Sequence, residues 1–388
     1  MSWWEICKKE CAAIFKNPAI LLTVFGGVVF YSFLYPLPYA QQVPRELKVV
    51  VVNLDNSQMS RRLERMVDAS PQVQLSGRAH SLVEAQRMFV ENRLAGVMVI
   101  PENFYRDLLQ NKRPTLSFAG DASYFLVYGT VIEGMAGAGQ TLAAQVKVTR
   151  MVMSGQSMAL ASEQYSAIKL NIFSAFNETL GYVNYVIPAI FILILHHTLL
   201  MGAGILGGGQ NEDLRAGKGD DYWLKASPWK LLLVRSTLFV TMYWFLCMYY
   251  FGFTFSFYGI PHIADFSELN LFILPFLLSA SFLGIVLGLI LPRRELATLL
   301  VLLSSMPLIF ASGFVWPTSA VPDGIIKVIQ YIPVIPAMNG FLRLNQMGAD
   351  FMDVFTQWRQ LWICTGFYGV LCLVLLWRKR RIVSPKTS

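Results

Sequence analysis

Residues 182–206 read YVNYVIPAIFILILHHTLLMGAGIL, a stretch that contains no Asp, Glu, Lys or Arg. A helix needs about 20 apolar residues to cross the hydrocarbon core of a bilayer, and this stretch exceeds that length. Soluble chains carry about 25% charged residues. This chain of 388 residues carries 14%, with 55% hydrophobic residues. The stretch therefore predicts a membrane-spanning helix in an integral membrane protein.

Five further gaps between charged residues are long enough to hold a span. Together with the first, they predict six spans near residues 18–38, 182–206, 232–254, 270–291, 296–316 and 360–377. The first span follows a charged segment and ends in Tyr35-Pro36-Leu37-Pro38, not in the small residues of a cleavage site. We therefore expect it to remain as an anchor and not to be removed as a signal peptide.

The Lys and Arg residues that flank the predicted spans lie mainly on one side. Fifteen lie in the flanks that share a side with both termini, and three lie in the opposite short loops. The positive-inside rule then places both termini in the cytoplasm. Since the inner flanks account for the formal net charge of +8, that charge reflects topology and gives no support to nucleic-acid binding.

The interval between the first two spans is long enough for a folded domain. Leu47 to Val52 (LKVVVV) is a β-branched run typical of a strand buried on both faces. Further strands near 73–75, 95–100 and 116–118 alternate with helices near 61–67, 81–92 and 101–110. The alternation predicts an external α/β sandwich with a largely parallel sheet, from which one long helix over 124–169 returns the chain to the membrane.

Residues 2–17 predict an amphipathic helix in the inner interface of the membrane. One face carries Trp3, Cys7, Cys11, Ile14 and Phe15, and the other carries Glu5, Lys8, Lys9 and Lys16. Trp anchors and basic residues are typical of helices that lie on anionic lipid, so membrane lipid is a predicted partner. The alternative is a charged flank with no such role. Cys7 and Cys11 share a face, but two thiols without a further ligand favour packing over metal binding.

The predicted divisions of the chain are an interfacial helix, a first span, an external α/β domain and a five-helix membrane domain with a basic C-terminal tail. Their bounds are 1–17, 18–38, 39–178 and 179–388. The predicted fold class is therefore an α-helical polytopic membrane protein of six spans, one plus five, with an inserted extracytoplasmic α/β domain.

Several catalytic motifs are missing. No Walker A loop is present to hold nucleotide phosphates, and neither HExxH nor GxSxG occurs. Ser312 beside Gly313 is a weak basis for intramembrane hydrolysis. We therefore predict no catalytic residues, no metal site, no cofactor bound by this chain and no enzymatic activity.

His196 and His197 are the ionisable residues that we assign to the interior of the predicted spans. A role in proton or substrate transfer is one interpretation, and hydrogen bonding across a helix bundle is the other. Proton relays usually include an Asp or Glu, and the predicted spans contain none, which favours the structural interpretation. The same absence, and the lack of an inverted repeat, disfavour a secondary transporter.

The predicted cytoplasmic loop 207–230 reads GGGQNEDLRAGKGDDYWLKASPWK. It is either a solvated connector or a short helix that a cytoplasmic partner binds. The second interpretation rests on its mixed charges and on an aromatic pair of the kind that anchors a partner pocket. The candidate residues are Glu212, Asp213, Arg215, Asp220, Tyr222 and Trp223.

The chain resembles the permease subunit of ABC-2 type exporters, in the branch with a large periplasmic domain after the first span. The resemblance covers nearly the whole chain and rests on VVNLDNS (51–57), GVMVIPENF (96–104), FN (176–177), SGF (312–314) and prolines at 317, 322, 333 and 336. One run departs from it. Relatives often carry E-x-G-T-x-E-x-L-L-x-x-P after the second span, whereas here Asp220 replaces Thr and Tyr222 replaces Glu.

The resemblance implies a multi-pass exporter of the bacterial inner membrane, and the aromatic path lining that it also implies would suit an amphipathic or drug-like cargo. Its partners would be an ABC ATPase subunit that binds ATP and magnesium, and a second permease copy or paralogue. A periplasmic adaptor is a further partner that the resemblance allows. The departure implies an unusual coupling partner or the atypical subunit of a heterodimer.

The second and fifth spans line the path in relatives, which implies a lining of Tyr182, Tyr185, His196, Phe310 and Phe314. The alternative for the aromatic side chains is an ordinary position at the lipid interface. The competing functional class is a membrane receptor or scaffold whose periplasmic domain binds an envelope partner without transport.

Overall fold

The computed structural model describes residues 1–39, 43–165, 175–177, 180–218 and 221–383. The chain divides into two compact units. The helical unit comprises Met1–Ala40 and Ser174–Ser388, and the α/β unit comprises Gln41–Phe173.

Two helices open the helical unit, α1 over Trp3–Phe15 and α2 over Pro18–Tyr39. Ser2 and Glu5 form a capping box at the start of α1, which satisfies two backbone N–H groups that the helix leaves unpaired. The buried face of α1 carries Ile6, Glu10 and Ile14. This face lies one position away from the predicted one, because Glu10 points inward and leaves Cys7 and Cys11 half-buried.

The α/β unit contains four strands and five helices among its described residues. In chain order they are β1 Leu47–Asn53, α3 Gln58–Asp68, β2 Val73–Ala79, α4 Leu82–Glu91, β3 Gly96–Ile100, α5 Phe104–Leu109, β4 Ser117–Gly120, α6 Phe125–Met153 and α7 Met158–Gln164. The strand order is β2-β1-β3-β4. β1 is parallel to both of its neighbours, and β4 is antiparallel to β3. The predicted alternation and the largely parallel sheet are confirmed.

The central strand β1 is buried on both faces, as its run of valines predicts. Val49 and Val51 belong to a core cluster with residues of α3 and α6, and Val50 and Val52 belong to a second cluster with Ala85 of α4. Successive side chains of a strand point to opposite faces, so an unbroken apolar run is what a sheet covered by helices on both sides requires.

The predicted single helix over 124–169 is wrong, because the chain breaks after α6. Gly155 adopts a φ of +95°, a conformation that favours glycine, and Ser157 then caps α7 by accepting a hydrogen bond from the backbone N–H of Leu160. Residues 166–169 of the prediction lie outside the described residues.

Eight helices complete the described part of the helical unit. They are α8 Tyr182–Arg215, α9 Tyr222–Lys225, α10 Pro228–Tyr258, α11 Phe266–Ile290, α12 Glu295–Ala311, α13 Asp323–Ile329, α14 Val334–Gln346 and α15 Phe351–Ile382. Within the described residues, α2, α8, α10, α11 and α15 are each long and apolar enough to cross a membrane.

The predicted fifth span, 296–316, differs from the structure. α12 ends at Ala311 after 17 residues, short of the length that a span needs. Gly313 then adopts a φ of +94°, and Pro317 and Pro322 prevent a helix from continuing. The next two helices, α13 and α14, are bent by 94° and together are apolar enough for one further span. The described residues therefore contain five helices that are long and apolar enough to cross a membrane, or six if this bent pair is one span.

Helix α8 occupies the centre of the helical unit, where 94% of its most apolar stretch is buried. Small residues allow neighbouring backbones to approach it closely. A Cβ built on Gly207 would lie 2.7 Å from the Cα of Gly288 on α11, and one on Gly204 would lie 2.8 Å from the Cβ of Ala297 on α12. The glycine-rich end of α8 is therefore a packing surface.

Candidate functional site

Four consecutive polar residues, Gln210, Asn211, Glu212 and Asp213, form the polar end of α8. The loop predicted over 207–230 is wrong at its start, since α8 remains helical to Arg215 and the connection to α10 is correspondingly short. Consecutive residues of a helix are rotated by about 100°, so four of them face almost every direction around its axis. Because other helices surround α8, Gln210 and Asn211 meet different neighbours, and Glu212 and Asp213 share a third.

Gln210 contacts a buried ion pair between α1 and α10. The Nε of Arg235 donates to Oε2 of Glu10 at 2.8 Å, and its Nη2 donates to Oε1 of Glu10 at 2.6 Å. The same Nη2 donates to Oε1 of Gln210 at 3.0 Å. Glu10 and Arg235 are 0% and 1% exposed, so the pair depends on complete hydrogen bonding in place of solvation.

Tyr222 of α9 completes this network. Its hydroxyl donates to Oε1 of Glu10 at 2.8 Å and accepts from Nε2 of Gln210 at 3.1 Å. Burial, followed by the nearby Glu10 charge, raises the pKa of Tyr222, which keeps the hydroxyl protonated as a donor. The network therefore joins α1, α8, α9 and α10.

Asn211 connects α8 with α11 and α15. Its Nδ2 donates to the carbonyl oxygens of Gly288 at 2.8 Å and of Leu291 at 2.7 Å, at the end of α11. Its Oδ1 accepts a hydrogen bond from Lys379 of α15. The last carbonyl groups of a helix have no partner within the helix, so Asn211 satisfies them from the neighbouring element.

Glu212 and Asp213 face Arg294, which precedes α12. The Nε of Arg294 lies 2.9 Å from Oε2 of Glu212, and its Nη2 lies 3.7 Å from Oδ1 of Asp213. The hydrogen bond with Glu212 raises the pKa of Arg294. All three side chains are partly exposed, so this contact lies at the surface of the helical unit.

The predicted coupling residues fall into three groups. Glu212 and Asp213 form the contact just described, and Arg215 is exposed. Tyr222 and Trp223 are 6% and 3% exposed, which differs from the accessible position that a docking pair requires. Trp223 packs beneath Lys379, whose Nζ lies 5.6 Å from the ring centroid. Asp220 lies outside the described residues.

Sequence reasoning missed the buried charges of this site. His196 and His197 were predicted to be the ionisable residues within the spans, but Arg235 lies inside α10 and is buried. Arg235 stands seven positions after Pro228, about two turns into the helix, and this depth was the available indication. Nothing in the sequence indicated that Glu10 is buried, because the pattern of α1 predicts a surface helix until the partner of Glu10 on α10 is known.

The five predicted path residues lie in different environments. Tyr185 and Phe310 are 48% and 54% exposed, whereas His196 and Phe314 are 0% and 7% exposed. The Tyr185 hydroxyl donates to the carbonyl oxygen of Phe314, which brings α8 and the turn after α12 together. The Tyr182 ring packs against the ring of Tyr39 on α2 in a tilted arrangement, with the centroids 4.3 Å apart. His196 is enclosed within the helical unit and lines no open path in this conformation.

His196 and His197 were predicted to form hydrogen bonds across the helix bundle. The structure shows fewer such bonds than this prediction requires. Neither ring nitrogen of His196 has a hydrogen-bond partner among the described residues, and the same holds for Nε2 of His197. The His196 ring lies 6.3 Å from the ring of Phe276 on α11. No group of three or more His, Cys, Asp or Glu residues in the described ranges is arranged to hold a metal ion.

Residues 18–374 match the family model described as ABC-2 family transporter protein. No curated protein matches the chain.

Proposed function

The chain belongs to the ABC-2 transporter family, and we propose that it is the permease subunit of an exporter of the bacterial inner membrane. The cargo is an amphipathic or drug-like compound. A separate ABC ATPase subunit, which binds ATP and magnesium, supplies the energy, since this sequence has no Walker A loop to hold nucleotide phosphates.

The observation that carries the proposal is the polar end of α8. Its residues contact α1 and α10 through Gln210, α11 and α15 through Asn211, and the start of α12 through Glu212. A displacement of the polar end of α8 is therefore transmitted directly to most of the helices of the unit. Packed helices rearrange between discrete states, so a small displacement at such a junction is amplified across the unit.

The topology that we propose follows the positive charge. The polar end of α8, both termini and the basic end of α15 lie in the cytoplasm, in line with the distribution of Lys and Arg. The chain between α2 and α8 then lies in the periplasm. The exposed residues Asp213 and Arg215 face the ATPase, and Glu10, Tyr222 and Trp223 transmit its movement from within the permease.

A second copy or paralogue completes the transport path. α12 exposes large apolar side chains on its surface, which either lipid or a second permease covers: Leu299, Leu302, Leu303, Met306 and Phe310. Tyr185 and Phe310 are the exposed members of the predicted path. We place the cargo beside these two aromatic side chains, because their rings offer a large apolar area to the apolar part of an amphipathic compound.

Charge reversal at the exposed surface tests the proposal. The variant Asp213→Lys with Arg215→Glu keeps the net charge and leaves the buried network intact. Co-purification with the cognate ATPase and permease-stimulated ATP hydrolysis should both fall by about tenfold or more, the effect of losing about 1.4 kcal/mol of docking free energy.

The matched control is Asp323→Lys with Lys327→Glu on α13, which reverses two exposed charges on the side that we place in the periplasm. It should retain ATPase binding. If the first variant kept wild-type ATPase binding, ATP hydrolysis and export, the ATPase could not dock at residues 213–215. Export without any ATPase partner would contradict the permease function itself.

A further inference from the structure

The α/β unit contains an open pocket of about 510 Å³ between α5, the loop that follows α5, and α6. Its size falls within the range of about 300–1,000 Å³ that small-molecule sites occupy. We name it the α5–α6 pocket. It lies within one unit and shares no residue with the polar end of α8.

The floor of the α5–α6 pocket is apolar and well supported. Phe104 and Leu142 line it and are 3% and 2% exposed, and the half-buried Leu116 lies beside them. All three belong to or pack against the core cluster that includes Val49 and Val51. The floor is therefore a fixed surface of the folded core and suits an apolar chain or ring.

The rim carries four cationic side chains, Lys112, Arg113, Lys147 and Arg150, and no acidic side chain lines the pocket. Asp107 is the nearby acid, 3.7 Å from Lys112, and it offsets one of the four charges. Arg113 and Lys147 are exposed and form no ion pair within the described part of the chain. The rim therefore presents a positive potential above an apolar floor.

Arg150 orders this rim. Its Nη1 donates to Oδ1 of Asn111 at 2.6 Å, and its Nη2 donates to the carbonyl oxygen of Leu108. These bonds join α5 and the loop after it to α6, at the edge of the pocket where Lys112, Arg113 and Lys147 also lie. An organised set of donors loses less conformational entropy on binding an anion than mobile side chains do.

We propose that the α5–α6 pocket binds an amphipathic anion, in which a carboxylate, sulfate or phosphate head pairs with the cationic rim and a single apolar body rests on the floor. Charge-assisted bonds from Arg and Lys favour such a head group. The site does not depend on the proposed transport function, since it holds equally for a permease or a receptor.

Photolabelling of the full chain in phosphatidylcholine nanodiscs tests this site. The probe is dodecanoic acid with a diazirine in its chain, and labelled peptides are identified by mass spectrometry. Label should concentrate in residues 104–116 and 139–150. Excess dodecanoate should displace it, whereas dodecyltrimethylammonium, which has the same chain and the opposite charge, should not. If dihexanoyl phosphatidic acid displaced the label more strongly than dodecanoate did, the amphipathic anion that the pocket binds would be a membrane phospholipid.

Two variants separate charge from shape. Arg113→Glu with Lys147→Glu should raise the probe concentration for half-maximal labelling by about tenfold or more, and Ala143→Trp should block the floor from an exposed position on α6. The control, Arg61→Glu with Arg87→Glu, makes the same charge change at exposed sites of the unit away from the pocket and should label as the wild type does. Labelling that is unchanged in the first two variants, concentrated elsewhere, or displaced equally by the cation would overturn the proposal.

Discussion

Arg235 binds both carboxylate oxygens of Glu10 from a position 225 residues later in the chain. Removing two charges from water costs several kcal/mol for each ion, and only good geometry with further hydrogen bonds offsets that cost. Here the remaining bonds come from Tyr222 and Gln210. The pair therefore fixes α1 against α10 and depends on two other elements to do so.

Glu10→Ala should destabilise the helical unit by about 3–5 kcal/mol, because it leaves the Arg235 charge buried without a partner. The double variant Glu10→Met with Arg235→Met should recover most of the loss, since two apolar side chains of similar length replace the pair. Thermal unfolding of the purified protein measures both. Equal stability of the single and double variants would show that the pair contributes nothing specific.

Asn211→Leu should loosen the contact of α8 with α11 and α15. It removes the donor that the carbonyl oxygens of Gly288 and Leu291 accept from, which costs about 1–3 kcal/mol, and it also removes the acceptor for Lys379. Hydrogen exchange near residues 286–291 should therefore become faster than in the wild type. Unchanged exchange in this region would contradict this account.

Gly207→Val should disrupt the packing of α8 on α11, because a Cβ there would lie 2.7 Å from backbone atoms of Gly288. Overpacking of this kind costs about 1–3 kcal/mol or more. Gly209→Ala is the matched control, since its Cβ would lie 3.9 Å from the nearest atoms. It should be neutral or stabilising by up to about 1 kcal/mol from helix propensity. Thermal unfolding separates the two, and similar losses in both would contradict the close approach.

Val51→Asp should unfold the α/β unit, because it places an unpaired charge at a side chain that is 0% exposed. We expect a loss above about 4 kcal/mol, a size typical of buried unpaired charge. Val99→Asp should cost less, since that side chain is half-buried, and Val90→Asp should cost little at 71% exposure. Limited proteolysis within residues 47–153 ranks the three, and a different order would contradict the strand assignment.

Periodicity and charge were sufficient to predict the elements whose surroundings are uniform. The charge-free stretch at 182–206 predicted α8, and the valines at 49–52 predicted β1. A helix in apolar surroundings, or a strand covered on both faces, consists mainly of apolar residues, so its composition alone indicates its environment. The strands after β1 followed from the same alternation.

Features that depend on two distant segments could not be predicted in this way. Arg235 was counted among the charges that flank the predicted span 232–254, although it falls just inside that span. Its burial becomes evident only once Glu10 is placed opposite it. The bend between α13 and α14 is a tertiary arrangement that proline positions permit but do not specify. Tyr222 and Trp223 were predicted as a docking pair because aromatic residues serve both binding surfaces and cores.

The contact of Gly207 with Gly288 has a mechanical consequence for transport. Two backbones that touch without intervening side chains have no rotamers with which to accommodate sliding, so α8 and α11 should move as a single rigid body. In the export function that we propose, a change between two packings must then take place around that body. The segments free to hinge are the turn at Gly313 after α12 and the bent pair α13 and α14 that follows it.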